Sequence, residues 1–314
     1  MRYLNLSLNP SYYCNFRCSF CYLTLNQLND KKFLDLSVLD KRLLELKNND
    51  ITLNHIDLYG GEISLLKNSY LHDMIEMLKI YSRYKINIIS NLSAIHPVFF
   101  DENVYLTVSY DFDAREKHEL VFQNMLKLSK PFSILILASQ KVMQMNVDFM
   151  ISMFNSLALL QSVEIKPYSP NQSNHDLVSY LDYEEFVKKW LQSSISKKFQ
   201  FVNKDLILDC IDGLKNAFSD DHIYLTPSGD WAVLDFDEAD REYFRLIENI
   251  NDYYLWTVQE KIKIANNKFC SSCKYSGGCL TEHYRDVKSL DKSCNGFKNL
   301  LDWAALNFNE EHQT

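Results

Sequence analysis

Eight cysteines in a chain of 314 residues fall into two groups and one outlier. Cys14, Cys18 and Cys21 form a Cys-x3-Cys-x2-Cys segment near the start, Cys270, Cys273, Cys279 and Cys294 lie near the end, and Cys210 stands alone. Where the compartment keeps thiols reduced, clustered cysteines point to metal sites rather than disulfides. Three thiolates leave a tetrahedral metal, or one iron of a four-iron cluster, a ligand short. An open position is what a catalytic site requires and a structural site avoids. A zinc ion completed by a distant residue such as His55 or His96 is the alternative. The four later cysteines make a closed set, and their spacing allows either zinc or a [4Fe–4S] cluster.

A second segment, Asp57-Leu58-Tyr59-Gly60-Gly61-Glu62, carries two glycines that let backbone approach a ligand closely and a carboxylate suited to a bound ammonium. Alone, such a segment is an ordinary turn. Polar residues recur farther along at Ser90-Asn91, Ser109-Tyr110-Asp111 and Lys166-Pro167-Tyr168, positions that capping or turn formation would also explain.

The elements that must place these residues follow from hydrophobic period. Short β-like runs are read at Tyr3–Leu8, His55–Leu58, Ile86–Ile89, Tyr105–Tyr110, Phe132–Ala138 and Val163–Lys166. Helical spacing is read at Leu36–Lys47, Tyr70–Tyr84, Arg115–Leu128, Val147–Leu157 and Tyr183–Gln192. Alternation of this kind means βαβ units and a parallel sheet, closed as a barrel or open as a partial one, with its chemistry at the C-terminal ends of the strands. The first three cysteines follow the first strand, and Gly60-Gly61-Glu62 follows the second. Near Lys198 the alternation stops. A hairpin over His222–Phe236, turning at Thr226-Pro227-Ser228-Gly229-Asp230, and a helix over Leu255–Ala265 lead into the second cysteine group. We place a domain boundary near residue 200, giving 1–200 and 201–314.

Net charge is −8 and the pI is near 5.5, so nothing favours a phosphate backbone or an anionic membrane surface. No run approaches the ~18 apolar residues of a membrane span, and the N-terminus lacks an apolar core followed by a cleavage site. A cytoplasmic location is expected.

The Cys14/Cys18/Cys21 segment after the first strand, with Phe20 just before its third cysteine, resembles the signature of the radical S-adenosylmethionine (SAM) superfamily. The resemblance implies a partial (β/α)6 TIM-like barrel. It also implies a [4Fe–4S] cluster on the three cysteines, with SAM chelating the unliganded iron, and reductive cleavage of SAM to a 5′-deoxyadenosyl radical that abstracts a substrate hydrogen. Gly60, Gly61 and Glu62 match the family's Gly-Gly-Glu segment, with Ile63 in place of the usual proline. Ser90 and Asn91 resemble the contact to the SAM ribose and carboxylate, and Ser109 and Asp111 resemble a Ser-Leu-Asp segment of peptide-modifying members. Lys166-Pro167-Tyr168 resembles a further strand-end contact, and Phe20 is a platform for adenine or part of the loop's core.

The Cys270-x2-Cys273-x5-Cys279-x14-Cys294 segment, with Gly277-Gly278 and a following aromatic-rich helix, resembles the SPASM/twitch extension. That likeness implies a small C-terminal α+β domain with an auxiliary [4Fe–4S] cluster. Full SPASM domains hold two such clusters. Here Cys210 matches the first ligand of the other one, Leu234 stands near a missing ligand, and His283 stands where another is usual, so one auxiliary cluster is expected. Cys210 is then a buried thiol, a hydrogen-atom donor, or with His283 part of a degenerate second site. The resemblance implies a maturase of peptide or protein substrates that forms crosslinks or epimerised residues, reduced by a flavodoxin- or ferredoxin-type donor. With 13 residues before Cys14, a precursor is expected to be recognised by the C-terminal half or by a separate leader-binding protein. The alternatives are a dehydrogenase or rearrangement enzyme acting on a sugar or nucleoside, and a metal-stabilised binding protein without chemistry.

Overall fold

In the first strand Leu4, Leu6 and Leu8 are buried and alternate with Asn5 and Ser7, the period of a strand with two different faces. A similar alternation recurs over Ile51–Leu58, Ile86–Ser90 and Val104–Ser109, in a computed structural model that describes residues 2–167, 178–218, 220–234, 244–281, 294 and 296–308. Tyr168 and His283 lie outside the described residues, as does the Leu234 side chain.

Strands β1 (Arg2–Leu8), β2 (Ile51–Leu58), β3 (Ile86–Ser90), β4 (Val104–Ser109), β5 (Phe132–Ala138), β6 (Leu160–Pro167) and β7 (Gln200–Phe201) pair in chain order, each parallel to the next. The helices between them are α1 (Leu25–Asn29), α2 (Leu36–Asn48), α3 (Asn68–Leu78), α4 (His118–Leu126), α5 (Gln140–Met143), α6 (Val147–Asn155) and α7 (Tyr180–Gln192). They cover the apolar face of the sheet. Leu39, Leu43 and Leu46 of α2, and Leu71, Met74, Ile75 and Leu78 of α3, recur at helical spacing and are buried. Each such side chain contributes about 1.5–3 kcal/mol by leaving water. Caps fix the helix starts: Asp35 accepts from Ser37 N at 2.7 Å ahead of α2, and Thr24 with Gln27 closes a capping box ahead of α1.

The opposite face carries polar side chains among apolar ones such as Ile89, Leu135 and Leu137. Asn5 and Ser7 on β1, Asp57 on β2, Ser109 on β4 and Lys166 on β6 all line one cavity. A closed eight-stranded barrel fills its interior with branched apolar side chains, whereas here the interior stays open to a polar ligand.

The sheet continues past residue 200. Helix α8 (Val202–Ile211), which the hydrophobic pattern did not single out, leads to β8 (His222–Leu225), and β8 pairs parallel with β1. Strands β9 (Trp231–Leu234) and β10 (Phe244–Ile247) follow antiparallel, so the expected hairpin forms and becomes the sheet's first edge in the order β10-β9-β8-β1-β2-β3-β4-β5-β6-β7. Gly229, at φ +83°, makes the turn. Trp231 anchors the hairpin: it is fully buried, and its Nε1 donates to Glu45 Oε2 of α2 at 2.9 Å. Helix α9 (Ile250–Ala265) begins five residues before the expected start, capped by Asn249. Helix α10 (Lys298–Phe308) lies against α7 and α8. Among the described residues, no helix is long and apolar enough to cross a membrane.

Candidate active site

The loop that follows β1 carries Cys14, Cys18 and Cys21, and all three line a cavity of about 540 Å³ at the C-terminal ends of the strands. The loop is shaped by its own side chains. Arg17 Nη1 donates to the carbonyls of Cys14 and Phe16, both at 2.7 Å, and Cys21 N donates to Cys18 O at 3.1 Å. Burial pushes the Cys14 and Cys18 thiols up to about 11 and raises Cys21 as well, while the Arg115 charge works the other way. Thiols held like this are neutral at pH 7 until a cation takes the place of their protons. The donor set is sulfur only, the preference of iron–sulfur clusters and zinc. Among the described residues no three His, Cys, Asp or Glu side chains stand at the spacing of a single metal ion.

The two glycines after β2 have a more specific task than closeness to a ligand. Gly61 N donates to Ser11 O at 2.9 Å and Glu62 N to Tyr13 O at 2.9 Å, zipping this loop to the cysteine loop. A Cβ on Gly61 would overlap the Tyr12 and Tyr13 carbonyls, and one on Gly60 would stand 2.6 Å from Ser11 O. Gly60 also has φ +138°, open to glycine at little cost. Both glycines line the cavity as well.

Glu62 is buried, 2% exposed, and its carboxylate is consumed by the protein. Oε1 accepts from Ser64 N at 2.8 Å and Ser90 Oγ at 2.7 Å, and Oε2 accepts from Asn91 N at 2.7 Å. Asn91 Nδ2 in turn reaches Asn15 Oδ1 at 3.2 Å and Cys14 Sγ at 3.7 Å. Glu62, Ser90 and Asn91, from two separate segments of the sequence, are thus one connected network under the cysteine loop. Ser90 and Asn91 line the cavity; Glu62 supports them from behind.

Ser109 lines the cavity, and Asp111 lies fully buried beneath it. What joins them is Arg115, which the sequence reading assigned only to a helix. Its Nε donates to Asp111 Oδ2 at 2.8 Å and its Nη2 to Ser109 Oγ at 2.8 Å, while Asp111 Oδ1 accepts from Leu137 N. Burial opposes the Arg115 charge, but Asp111 and the neighbouring cysteines outweigh it and hold the guanidinium above its ordinary range. It lies 5.3 Å from the centre of the Phe20 ring, and both face the cavity. Its Nη1 makes no hydrogen bond within the described residues. The sequence held one signal for this, a cation four residues after a strand-end Asp, which is an ordinary helical pair until the fold buries it.

Around the mouth, Tyr22, Tyr59 and Tyr224 line the cavity and pack with Tyr12 and Phe244. The Tyr12 and Phe244 rings stack at 6.4 Å. Strand β10 therefore brings an aromatic wall to the cysteine loop from more than 200 residues away in sequence.

The second cysteine group gathers separately. Gly296 separates two of its sulfurs: a Cβ there would stand 2.7 Å from Cys279 Sγ and 3.7 Å from Cys294 Sγ. Cys273 N donates to Cys270 O at 3.1 Å, and burial together with Cys279, Cys294 and Cys273 pushes Cys270 up to about 11. Cys210, on α8, is buried and does not line the cavity of the first three cysteines; it lies near Cys279, and burial pushes it up to about 12.

No protein-family model matches the sequence, and no curated protein does. Solved structures do. The structure of anSMEcpe with bound AdoMet matches with a TM-score of 0.68 at 14% identity, covering 98% of this chain and 98% of that one. The anSMEcpe structure with bound AdoMet and Cp18Cys peptide matches with a TM-score of 0.66 at 15% identity, over 98% of both chains. Streptococcus suis SuiB bound to precursor peptide SuiA matches with a TM-score of 0.64 at 14% identity, over 92% of this chain and 73% of that one. The chain therefore shares its fold, a partial TIM-like barrel, with anSMEcpe and SuiB.

Proposed function

We propose that this chain is a radical SAM enzyme acting on a peptide or protein. The observation that carries the reading is the convergence of Cys14, Cys18 and Cys21 on one cavity with the Gly60-Gly61 backbone, Asn91 and Arg115. Cys14, Cys18 and Cys21 would hold a [4Fe–4S] cluster and leave one iron for SAM; when bound, the pair supplies a 5′-deoxyadenosyl radical for hydrogen abstraction. The chain's own residues do the positioning. Arg115, its Nε and Nη2 already engaged, offers the Nη1 edge to a carboxylate. The Gly60 and Gly61 backbone and Asn91 offer polar contacts beside it, and the Phe20 face suits an aromatic base. Cys14, Phe16 and Phe20 of the loop are buried, and that part of the wall would limit water at the reacting centre.

Two further observations support a peptide substrate. The fold matches structures solved with peptides bound, and the aromatic wall at the cavity mouth suits peptide side chains. Cys270, Cys273, Cys279 and Cys294 would hold one auxiliary [4Fe–4S] cluster, whose chemistry is electron transfer.

Anaerobic reconstitution tests this. About eight irons per chain are expected, falling to about four when Cys14, Cys18 and Cys21 are all changed to Ala. Dithionite should drive wild type, and not the triple variant, to convert SAM to 5′-deoxyadenosine. Incubation with small peptides encoded beside the gene then reads the product: a loss of about two hydrogens marks a crosslink, and deuterium uptake from solvent marks epimerisation. Absence of deoxyadenosine from the fully loaded wild type would overturn the proposal.

A further inference from the structure

Three carboxylates stand beside the cavity at the C-terminal ends of the strands, and two of them are fully spoken for; a fourth, Asp221, lines the cavity from just before β8. Both oxygens of Glu62 and both of Asp111 accept hydrogen bonds from the protein. Asp57 differs. It is the penultimate residue of β2 and lines the same cavity as the three cysteines.

Its Oδ1 accepts from His55 Nε2 at 2.9 Å and from Asn87 Nδ2 at 2.7 Å. The Asn87 amide is oriented in turn, because its Oδ1 accepts from the Thr107 hydroxyl at 2.8 Å. Side chains of β2, β3 and β4 thus hold one oxygen of this carboxylate in a single place. Oδ2 takes no hydrogen bond among the described residues, and the side chain keeps 20% of its surface accessible. Ser7 on β1 and His222 on β8, 2.8 Å apart, form the adjoining wall. Burial favours the neutral acid, yet the bonds from His55 and Asn87 and the nearby His222 outweigh it and hold Asp57 below the usual carboxylate range.

Glu62 and Asp111, almost without accessible surface, have their lone pairs matched by the protein, whereas half-buried Asp57 keeps one oxygen open among the described residues. A preorganised acceptor left open toward a ligand-sized cavity instead discriminates: it matches a donor and repels a carbonyl or carboxylate oxygen. We propose that Asp57 Oδ2 is a substrate-specificity group that receives an N–H or O–H donor (ammonium, amide or hydroxyl) of the substrate residue entering the barrel. This inference rests on the radical SAM reading of the same cavity.

The test uses SAM-loaded holoenzyme under anaerobic conditions and three capped amino acids of similar size: Nα-acetyl-lysine methylamide, Nα-acetyl-glutamine methylamide and Nα-acetyl-norleucine methylamide. Equilibrium dialysis measures retention of each, and SAM cleavage with dithionite is measured in parallel. Wild type is expected to hold the lysine probe, the glutamine probe or both about tenfold more tightly than the norleucine probe. The arm that wins distinguishes a charged donor from a neutral one. Asp57→Ala removes the acceptor and puts no donor in its place, so it should abolish the preference; circular dichroism and iron content check that it folds and loads. Equal retention of all three probes by wild type overturns the inference whatever the variant does, as does a preference that survives Asp57→Ala. If wild type shows no probe preference yet cleaves SAM, the inference fails and the radical SAM reading stands; if loaded wild type does not cleave SAM, both fail.

Discussion

Glu62, on the loop after β2, and Asn91, just past the end of β3, are joined by a 2.7 Å hydrogen bond from the Asn91 backbone N–H to Oε2. With Ser90 Oγ on the other oxygen, one buried side chain ties two strand ends together directly beneath Cys14.

Glu62→Gln keeps one acceptor but turns an amide donor toward Asn91 N or toward Ser64 N. A buried donor facing a donor costs about 1–3 kcal/mol. Urea denaturation of the metal-free protein should show that loss. SAM affinity of the loaded protein should fall with it, because Asn91 loses its anchor.

Gly61→Ala sets a methyl group against the Tyr12 and Tyr13 carbonyls, so the cysteine loop must move. The expected result is loss of the first cluster, about four irons of the ~8 that two four-iron clusters contain. Gly213→Ala is the control. Gly213 has φ +70° but nothing within 4 Å of an added Cβ. It should lose only about 1 kcal/mol of stability through backbone strain and keep its full iron content.

Arg115→Met leaves Asp111 charged, buried and without its ion-pair partner, a change worth about 3–5 kcal/mol. Asp111→Asn in the same chain removes the stranded charge and should restore part of the stability without restoring SAM binding. Separate measurements of the urea midpoint and of SAM affinity would show the split. Recovery of both together would mean that Arg115 acts only through the fold.

Titration of the His55–Asp57 pair gives a pH signature. His55 is raised above its ordinary 6.5, chiefly by its hydrogen bond to Asp57 and against the effect of burial. Asp57 is lowered from 3.8, since His55, Asn87 and His222 outweigh the burial that would raise it. The raised imidazole stabilises the fold fully below 6.5, and that contribution is lost as pH climbs through its raised value. The lowered carboxylate stabilises it above 3.8 and loses that contribution as pH falls through its lowered value. The pair is therefore strongest between the two ordinary values. The difference in melting temperature between wild type and His55→Gln should be widest in that window and narrower by about pH 9. A difference that stays constant across the range would contradict the assignment.

The local chemistry of this chain was legible in its sequence because it depends on neighbours within a few residues. Cysteine spacing, the glycine pair and the period-2 and period-3.6 patterns each act over one loop or one element, so they marked the cysteine loop, the glycine loop and the parallel sheet. Strand limits came out short at Ile51 and Leu160, where partly exposed polar residues continue a strand that its neighbours hold in register. Other features exist only because strand order brings distant residues together. Ser7 meets His222 across 215 positions because β8 inserts beside β1. Arg115 becomes part of the site because its turn folds over the cysteine loop, where a guanidinium can be buried only against Asp111 and Ser109. Cys210 lies near Cys279 rather than in the first cavity because α8 packs beside the second cysteine group. Asp57 Oδ2 takes no hydrogen bond among the described residues because His55 of β2 and Asn87 of β3 both donate to Oδ1. Spacing determines which residues carry chemistry; topology decides which way each of them faces, because hydrogen bonds and burial are settled between strands, not along them.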